Sequence, residues 1–577
     1  MTSPQESFTI PEYLQPYVAK QNPALYTPMD HASWRFILKV SQNFLKVHAH
    51  QKYLDGLRET GISIEEIPLI DEMNLCLKKF NWQAVAVTGF IPPAVFMEFL
   101  SLSILPIACD MRTLDHLAYT PAPDIVHEAA GHAPIIADPE YSDYLRMYGE
   151  VSQKAIFSSQ DMHVYNAIRY LSDTKENPLS TPQEIDQAQL NLDQAIAGLT
   201  YVSEATFLSR MGWWTFEYGL VGDLSRPKIY GAGLFSSIGE GFRCLDSHVS
   251  KIPFSIDCIH QGFDITRPQP QLFVAHDFQV LKDALQELAE SMAFKRGGVE
   301  GLDKAKMAAT PTTVMLETGI QASGVLVDYL QSQSGRPCYI QFRGPTQISY
   351  RGHQMEGQGA DYHRDGYGSP LETVTEDDLQ KFGLSLQKEG RMEFESGVSV
   401  EGKLIQVLKR EGGIVLLSFE ACTVKKGDVY LFRPEWGVYD MLCGRQVVSV
   451  FGGAADRKNY MQVTGTFQRG SSHEKTNMTE ENRDLNRLYA DLRQCRNQAQ
   501  NEIDDSTKKA LTAIYQDLEK NYPSDWLLRY ELLEMESKHS LGLPWIQSVR
   551  TQLNEISKES PEKAEMIQRG FELLGSF

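Results

Sequence analysis

At 577 residues the chain is too long for one ordinary hydrophobic core, and three or four domains are expected. Its 55 basic and 75 acidic side chains leave a net charge of −20, which speaks against a nucleic-acid or anionic-membrane partner, since both need clustered basic charge. No apolar run approaches a membrane span, and Cys76, Cys109, Cys244, Cys258, Cys338, Cys422, Cys443 and Cys495 fall in neither a CxxC nor a zinc-ribbon spacing, so they read as reduced, mostly buried thiols.

Residues 1–24 form a Pro- and Tyr-containing arm. Its first residues show neither a basic n-region nor an apolar h-region, which makes the cytoplasm the expected compartment. From Thr27 the pattern predicts a helix: Trp34, Ile37, Leu38, Val40, Phe44, Leu45 and Val47 recur largely at threes and fours, with Asp30 as N-cap. Further helices are expected over 51–60, stopping at Gly61, and over 67–80, with Pro68 in the first turn. A short strand over 82–87, the turn Gly89-Phe90-Ile91-Pro92-Pro93 and a helix over 94–102 follow. Segment 103–119 runs from apolar to polar and holds a single Arg112. Residues 121–132 read as a short helix capped by Asp124 and ended by Gly131, since Pro121 and Pro123 cannot lie inside it and Pro134 prevents its continuation.

Helical patterns occupy 141–171 and 184–211, with a polar linker at 172–183, and the mixed stretch 212–295 closes on a helix about 278–294. Arg296–Ala308, with a Gly-Gly pair and several charges, reads as a linker. Between 310 and 470 the runs 313–316, 338–342, 398–400, 404–408, 413–419, 429–432 and 447–450 are short and β-branched, as in an antiparallel barrel or sandwich. From Ser471 onward the chain is charged and helical, and its Pro and Gly breaks predict four or five helices in hairpins.

Chemistry concentrates at His127, Glu128 and His132, with Glu217 further on in the aromatic run Trp213-Trp214-Thr215-Phe216-Glu217-Tyr218-Gly219-Leu220. Two histidines and a carboxylate are the ligand set of a non-haem Fe(II) site with positions open for oxygen and water. In the zinc-peptidase motif HExxH the histidines stand four apart and share a helix face. Five residues set them about 140° apart at roughly 100° per residue, so both can face one metal only where the helix ends between them, as Gly131 permits. That spacing disfavours a zinc hydrolase using Glu128 as base. A buried Glu217 among rings is costly unless paired or metal-bound, though a partly exposed helix glutamate is an equal alternative, and each histidine alone is more often structural. His353, His363 and Asp365, in the Gly-rich stretch 351–368, read as a turn-rich loop rather than a site.

Three ordered motifs change these odds. Tyr119-Thr120-Pro121-x-Pro123-Asp124-x-x-His127-Glu128-x-x-Gly131-His132 resembles the signature of the pterin-dependent aromatic amino acid hydroxylases. So do Trp213-x-Thr215-x-Glu217-Tyr218-Gly219-Leu220 and Tyr230-Gly231-Ala232-Gly233-Leu234-Phe235-Ser236-Ser237-x-Gly239-Glu240, and the resemblance covers roughly residues 24–295. It implies Fe(II) on His127, His132 and Glu217. It implies a tetrahydropterin at Gly89, Phe90 and Ile91 with Phe96 stacked on it, and Glu128 near the pterin and the iron-bound water. Arg112, supported by Asp124, would pair with the substrate carboxylate, Trp213 would wall the amino-acid pocket, and Thr120, Gly233 and Ser236 would line the same region.

The activity so implied is a monooxygenase that uses molecular oxygen and a reduced pterin on the ring of an aromatic amino acid, phenylalanine to tyrosine, with tryptophan or tyrosine hydroxylation and a non-catalytic scaffold as alternatives. A homo-oligomer stays open. The implied organisation is multidomain: an arm at 1–24, a mainly α hydroxylase-like catalytic domain at 25–300, a β-rich barrel or sandwich at 310–470 and a C-terminal α-helical region at 471–577. Departures from the family pattern are Ala129 and Ala130 for a bulkier pair, Gly212 for an aromatic, and Pro92 and Pro93 for small polar residues. The stretch from His132 to Trp213 is also longer, with 172–195 an expected excursion near the site mouth or a subunit contact.

Overall fold

The structure is a computed structural model that describes residues 9–89, 91–118, 122–177, 179–265, 267–464, 480–498 and 504–575. Helix α1 (Pro28–His48) starts one turn earlier than expected: Thr27 is the N-cap, and Asp30 is the third helical residue whose carboxylate answers it in a capping box. Helices α2 (Tyr53–Glu59), α3 (Ile70–Leu77) and α4 (Pro93–Ser101) follow. Pro68 precedes α3 instead of sitting in its first turn. The apolar half of 103–119 is a strand that alternation did not announce, because it is buried on both faces: β2 (Ile104–Ala108) pairs in parallel with β1 (Gln83–Val87).

The expected helix 141–171 is broken: α5 (Pro139–Ser152) ends, and α6 (Ser159–Glu176) restarts at a Ser158–Asp161 capping box and runs into the expected linker. Thr181 and Glu184 cap α7 (Pro182–Ala197), and Ser203 caps α8 (Glu204–Gly212), so 184–211 is likewise two helices. A small sheet of order β4-β3-β6-β5 then combines β3 (Leu220–Val221), β4 (Lys228–Ile229), β5 (Ser250–Pro253) and β6 (Gln271–Ala275). Around it lie α9 (Ala232–Ser236), α10 (Ile238–Arg243), α11 (Phe278–Glu290) and α12 (Ala293–Arg296). The expected linker 296–308 is in fact α13 (Gly298–Ala308). Gly297 and Gly298, at φ 55° and 53°, turn the chain, and Leu302, Ala305 and Ala308 then bury one face.

Every expected β run lies within a strand. Strands β7 (Pro311–Leu316), β8 (Ile320–Gln331), β9 (Pro337–Tyr350), β10 (His353–Gln354), β11 (Gly366–Pro370) and β17 (Val447–Gly452) form one antiparallel sheet. A second holds β12 (Glu389–Glu393), β13 (Val398–Arg410), β14 (Gly413–Lys426), β15 (Val429–Phe432) and β16 (Tyr439–Leu442). Helix α14 (Glu376–Lys381) links β11 to β12, and α15 (Arg457–Thr464) follows β17.

The C-terminal region is α16 (Glu480–Gln498), α17 (Asp505–Asn521), α18 (Leu527–His539), α19 (Ile546–Ile556) and α20 (Pro561–Leu574), packed back onto α1. Phe36 of α1 meets Trp526 and Tyr530 edge-on, each at 5.0 Å between centroids. One hydrophobic cluster runs from Trp34 and Phe36 through the hydroxylase-like region to Leu533 and Leu553. Within that contact Arg35 bridges to Glu531 at 3.0 Å and also to Glu534, while Lys39 reaches Glu534 at 2.8 Å and Arg496 reaches Glu531 at 2.7 Å. Among the described residues no helix is long and apolar enough to cross a membrane, and all eight cysteines are free thiols.

Candidate metal centre and its cavity

Both segments that carry the candidate ligands are π-helices, Val126–His132 and Trp213–Glu217. The widened turn closes i→i+5 hydrogen bonds, seen in Ala133 N–H to Glu128 O (3.3 Å) and Tyr218 N–H to Trp213 O (2.9 Å). Residues five apart then share a face. His127 and His132 are therefore brought together by an underwound, wider turn, not by the helix ending at Gly131 as expected. Gly131 lies inside the π-helix, where a Cβ would come within 2.8 Å of Ala232 O, so its role is close packing against α9.

The rings of His127 and His132 meet edge-on at 4.9 Å between centroids, and Glu217 closes the set. Its Oε2 is 3.2 Å from His127 Nε2 and its Oε1 is 3.3 Å from His132 Nε2. Despite that approach, the buried His132 Nε2 has no hydrogen bond of good geometry. Close donors that do not hydrogen-bond each other suit convergence on a third atom. Glu128 also lies near: it, His127 and His132 offer donor atoms within 4.8 Å of one another, but its Oε2 is 4.0 Å from His132 Nε2 and is itself without a partner.

Electrostatics separate the two carboxylates. Burial would raise Glu217, but His132 and His127 hold its carboxyl well below the usual range; in return His127, which burial alone would lower, is lifted to about 9. Glu128 is pushed up by burial, and the neighbouring imidazoles only partly oppose this. Ser236 settles the His127 ring. Its hydroxyl donates to Ala232 O at 2.9 Å, so it accepts from His127 Nδ1–H at 3.1 Å; Nδ1 then keeps its proton, and Nε2, facing Glu217, is the nitrogen that gives one up when the ring becomes neutral, as a metal ligand must be.

Beside this set Arg112, 2% exposed, forms a two-point bridge to Asp124 (Nε–Oδ2 2.7 Å, Nη2–Oδ1 2.8 Å) and donates from Nη1 to Ser236 O at 2.8 Å. Asp124 also accepts from His127 N–H at 3.0 Å, so one carboxylate caps the ligand helix and orients the arginine. Trp213 is sandwiched between Tyr218 at 4.5 Å and Phe263 at 4.3 Å; Phe263 was not foreseen, since nothing local marks it. Gly212, where an aromatic was missed, cannot carry a side chain. A Cβ there would lie 2.7 Å from both Phe216 Cζ and Tyr148 Oη, so these two rings fill the space.

A cavity of about 1770 Å³ opens onto His127, Glu217, Arg112, Trp213, Gly233 and Ser236. Val164 and Ile168 of α6 and Gln189, Leu192 and Asp193 of α7 border it too, so part of the 172–195 stretch lines the cavity. On the α4 side it is walled by Pro92, Pro93, Met97 and Glu98. Gly89 adopts φ 59°, Ile91 packs against the β1–β2 cluster and Phe96 against the main core, and none of the three lines the cavity. Phe90, Tyr119, Thr120 and Pro121 lie outside the described residues. His363 is held by Gln358 at 2.7 Å beside Tyr362 and Tyr367, as a loop histidine of the β-rich region.

The model of the biopterin-dependent aromatic amino acid hydroxylases matches residues 17–166 and 182–297. A phenylalanine-4-hydroxylase of Ralstonia nicotianae is 30% identical over 286 residues, 46% of this chain and 74% of its own. One from Mesorhizobium japonicum is 27% identical over 285 residues, 48% of this chain and 87% of its own. The crystal structure of Chromobacterium violaceum phenylalanine hydroxylase with iron(III) and 7,8-dihydrobiopterin is 24% identical, covering 49% of this chain and 92% of that one, with a TM-score of 0.38.

Proposed function

The chain belongs to the biopterin-dependent aromatic amino acid hydroxylases, and from that membership we propose that it converts L-phenylalanine to L-tyrosine with Fe(II), a tetrahydropterin and molecular oxygen. His127, His132 and Glu217 would hold the metal, and by the family pattern Gly89, Phe90, Ile91 and Phe96 with Glu128 the pterin; Gly89, Ile91 and Phe96 stand behind the cavity wall, so the pterin would meet that side through Pro92, Pro93 and Met97. The iron and the pterin, when bound, supply the oxygen activation and the electrons for it. What the chain supplies is placement. Ser236 fixes the His127 tautomer, and Asp124 holds Arg112 so that its remaining N–H groups can take a carboxylate, a task for which a planar guanidinium is suited. The Trp213–Tyr218–Phe263 stack offers a rigid wall to the substrate ring.

One observation carries the reading: two imidazoles and a carboxylate, drawn from two π-helices, meet within 3.3 Å while a buried ring nitrogen is left without a hydrogen bond. The test is tyrosine formation by the full chain with Fe(II) and tetrahydropterin, run on a panel of phenylalanine, tyrosine and tryptophan. Pterin-dependent turnover of phenylalanine above the other two is expected; no turnover of any of them overturns the reading. The arm, catalytic, β-rich and helical divisions at 1–24, 25–300, 310–470 and 471–577 are proposed as successive segments, with the β-rich one a sandwich of the two sheets.

A further inference from the structure

Residues beyond 310 reach the same cavity. Its wall includes Gly453, Arg457 and Tyr460, at and after the end of β17, and Tyr13 and Tyr17 of the N-terminal arm. The approach is close and specific. Gly452 N–H donates to Lys154 O at 3.0 Å, and a Cβ on Gly452 would sit 2.0 Å from Ala155 O, so the strand end is pressed onto the chain just after α5. From there Arg457 bridges two helices: one guanidinium nitrogen pairs with the buried Glu98 of α4, and the other donates to Gln153 O, past the end of α5, at 2.6 Å. Tyr13 donates its hydroxyl to the other oxygen of Glu98, and Lys458 pairs with Glu12 at 2.6 Å. Helix α4 already lies tight on α5, where a Cβ at Gly149 would be 2.4 Å from Ser101 N.

We infer that Arg457 is a positioning residue for the pterin-binding side of the site: through Glu98 and Gln153 it clamps α4 to α5, so the β-rich region sets the affinity for the reduced pterin. The inference rests on the reading above, which assigns the pterin to the turn before α4 and to Phe96 on it. The groups assigned to the amino acid, Arg112, Asp124 and Trp213, stand on other elements, and among the described residues their hydrogen bonds and ring contacts go to partners other than Arg457, Glu98 and Gln153. Loosening α4 therefore separates the two substrates. The forked guanidinium is needed because a lysine ammonium is a single point and cannot span a carboxylate and a carbonyl on different helices as one planar group.

The test is anaerobic binding of tetrahydropterin to the full chain by calorimetry, which needs no turnover, beside steady-state kinetics with Fe(II) that vary tetrahydropterin and phenylalanine separately, in R457A and R457K; the binding constant and the KM for the pterin should move together. In R457A the KM for tetrahydropterin should rise about five- to thirtyfold, the ratio that one or two buried contacts are worth. The KM for phenylalanine should stay where it is, and R457K should fall between. A pterin KM at the wild-type value, or an equal rise in both KM values, overturns the inference. If R457A does not fold, R457K decides alone by the same split. Absence of pterin-dependent turnover in the wild-type chain would instead sink the reading on which the inference stands.

Discussion

Helices α16–α20 meet α1 through one continuous hydrophobic core and a buried set of charges, whereas the β-rich region keeps its own clusters, takes Ile156 and Ala293 into one of them, and touches the hydroxylase part through backbone contacts and polar side chains such as Thr310 and Arg457. Both lie outside the matched residues. The difference teaches that order along the chain is a poor guide to what folds with what. The last hundred or so residues complete the core begun by the first helix, while the segment between them acts at the cavity edge.

Removing the helices should have the largest effect. A chain ended at residue 470 would bare the α1 face that covers Trp526, Leu527, Tyr530 and Leu533, and each large side chain lost is worth about 1.5–3 kcal/mol against a total stability of roughly 5–15 kcal/mol. Soluble yield and a circular-dichroism melt check this: insoluble or unfolded protein is expected, and a wild-type melt would break the comparison. Next comes Arg35→Met. It strips the guanidinium from Glu531 and Glu534 and should cost up to about 3–5 kcal/mol of unfolding free energy, read from denaturant titration, because Arg496 and Lys39 are then left to compensate the two buried carboxylates alone.

The same seam has a pH signature. Burial alone would raise Glu534, but Arg35 and Lys39 override it and hold the carboxyl at about 2, below its ordinary 4.5. A depressed folded-state value contributes stability that is complete above 4.5 and is lost as pH falls from there towards 2. Melting temperature followed over that window should fall more steeply in wild type than in E534Q; parallel curves would remove these charges from the account.

How much of this was readable beforehand depended on chain distance. His127, Glu128 and His132 are neighbours in sequence, so their residue types and spacing suggested a metal site before any fold was known, while Arg112 and Asp124 joined it only through the resemblance of the motif around them. Glu217 stood out because a carboxylate in a run of rings needs a partner. The π-helix did not, since a pattern read at 3.6 residues per turn has no mark for one inserted residue, and Gly131 took the credit for a meeting that the wider turn achieves. Helix α13 was hidden by its glycines and by the small size of Ala305 and Ala308. Contacts such as Arg35–Glu531 or Arg457–Glu98 join residues hundreds of positions apart and leave no local pattern at all.

At the candidate metal centre the expected effects fall on activity and not on the fold. Glu217→Ala removes a candidate ligand and should cut turnover by more than about 100-fold, beyond the 10–100-fold of residues that merely support ligands, while the melt stays near wild type. Iron content after anaerobic purification and tyrosine formation are the two readouts, and full turnover would dissolve the proposed ligand set.

Ser236→Ala should give the smallest change and the sharpest one. The hydroxyl accepts from His127 Nδ1–H and passes its own proton to Ala232 O, so its loss leaves a half-buried N–H without its partner and frees the imidazole to adopt the other tautomer, with a proton on the nitrogen that faces Glu217. Fe(II) affinity is then expected to fall by about 10–100-fold, whereas turnover at saturating iron should fall less, because the ligand itself is still present. Iron titration of the anaerobic apoprotein separates the two quantities. Should iron bind as tightly as in wild type, the hydroxyl would not be setting the tautomer, and the helices that carry the candidate ligands would need no help from α9; the Ser236 carbonyl that holds Arg112 is kept in either case.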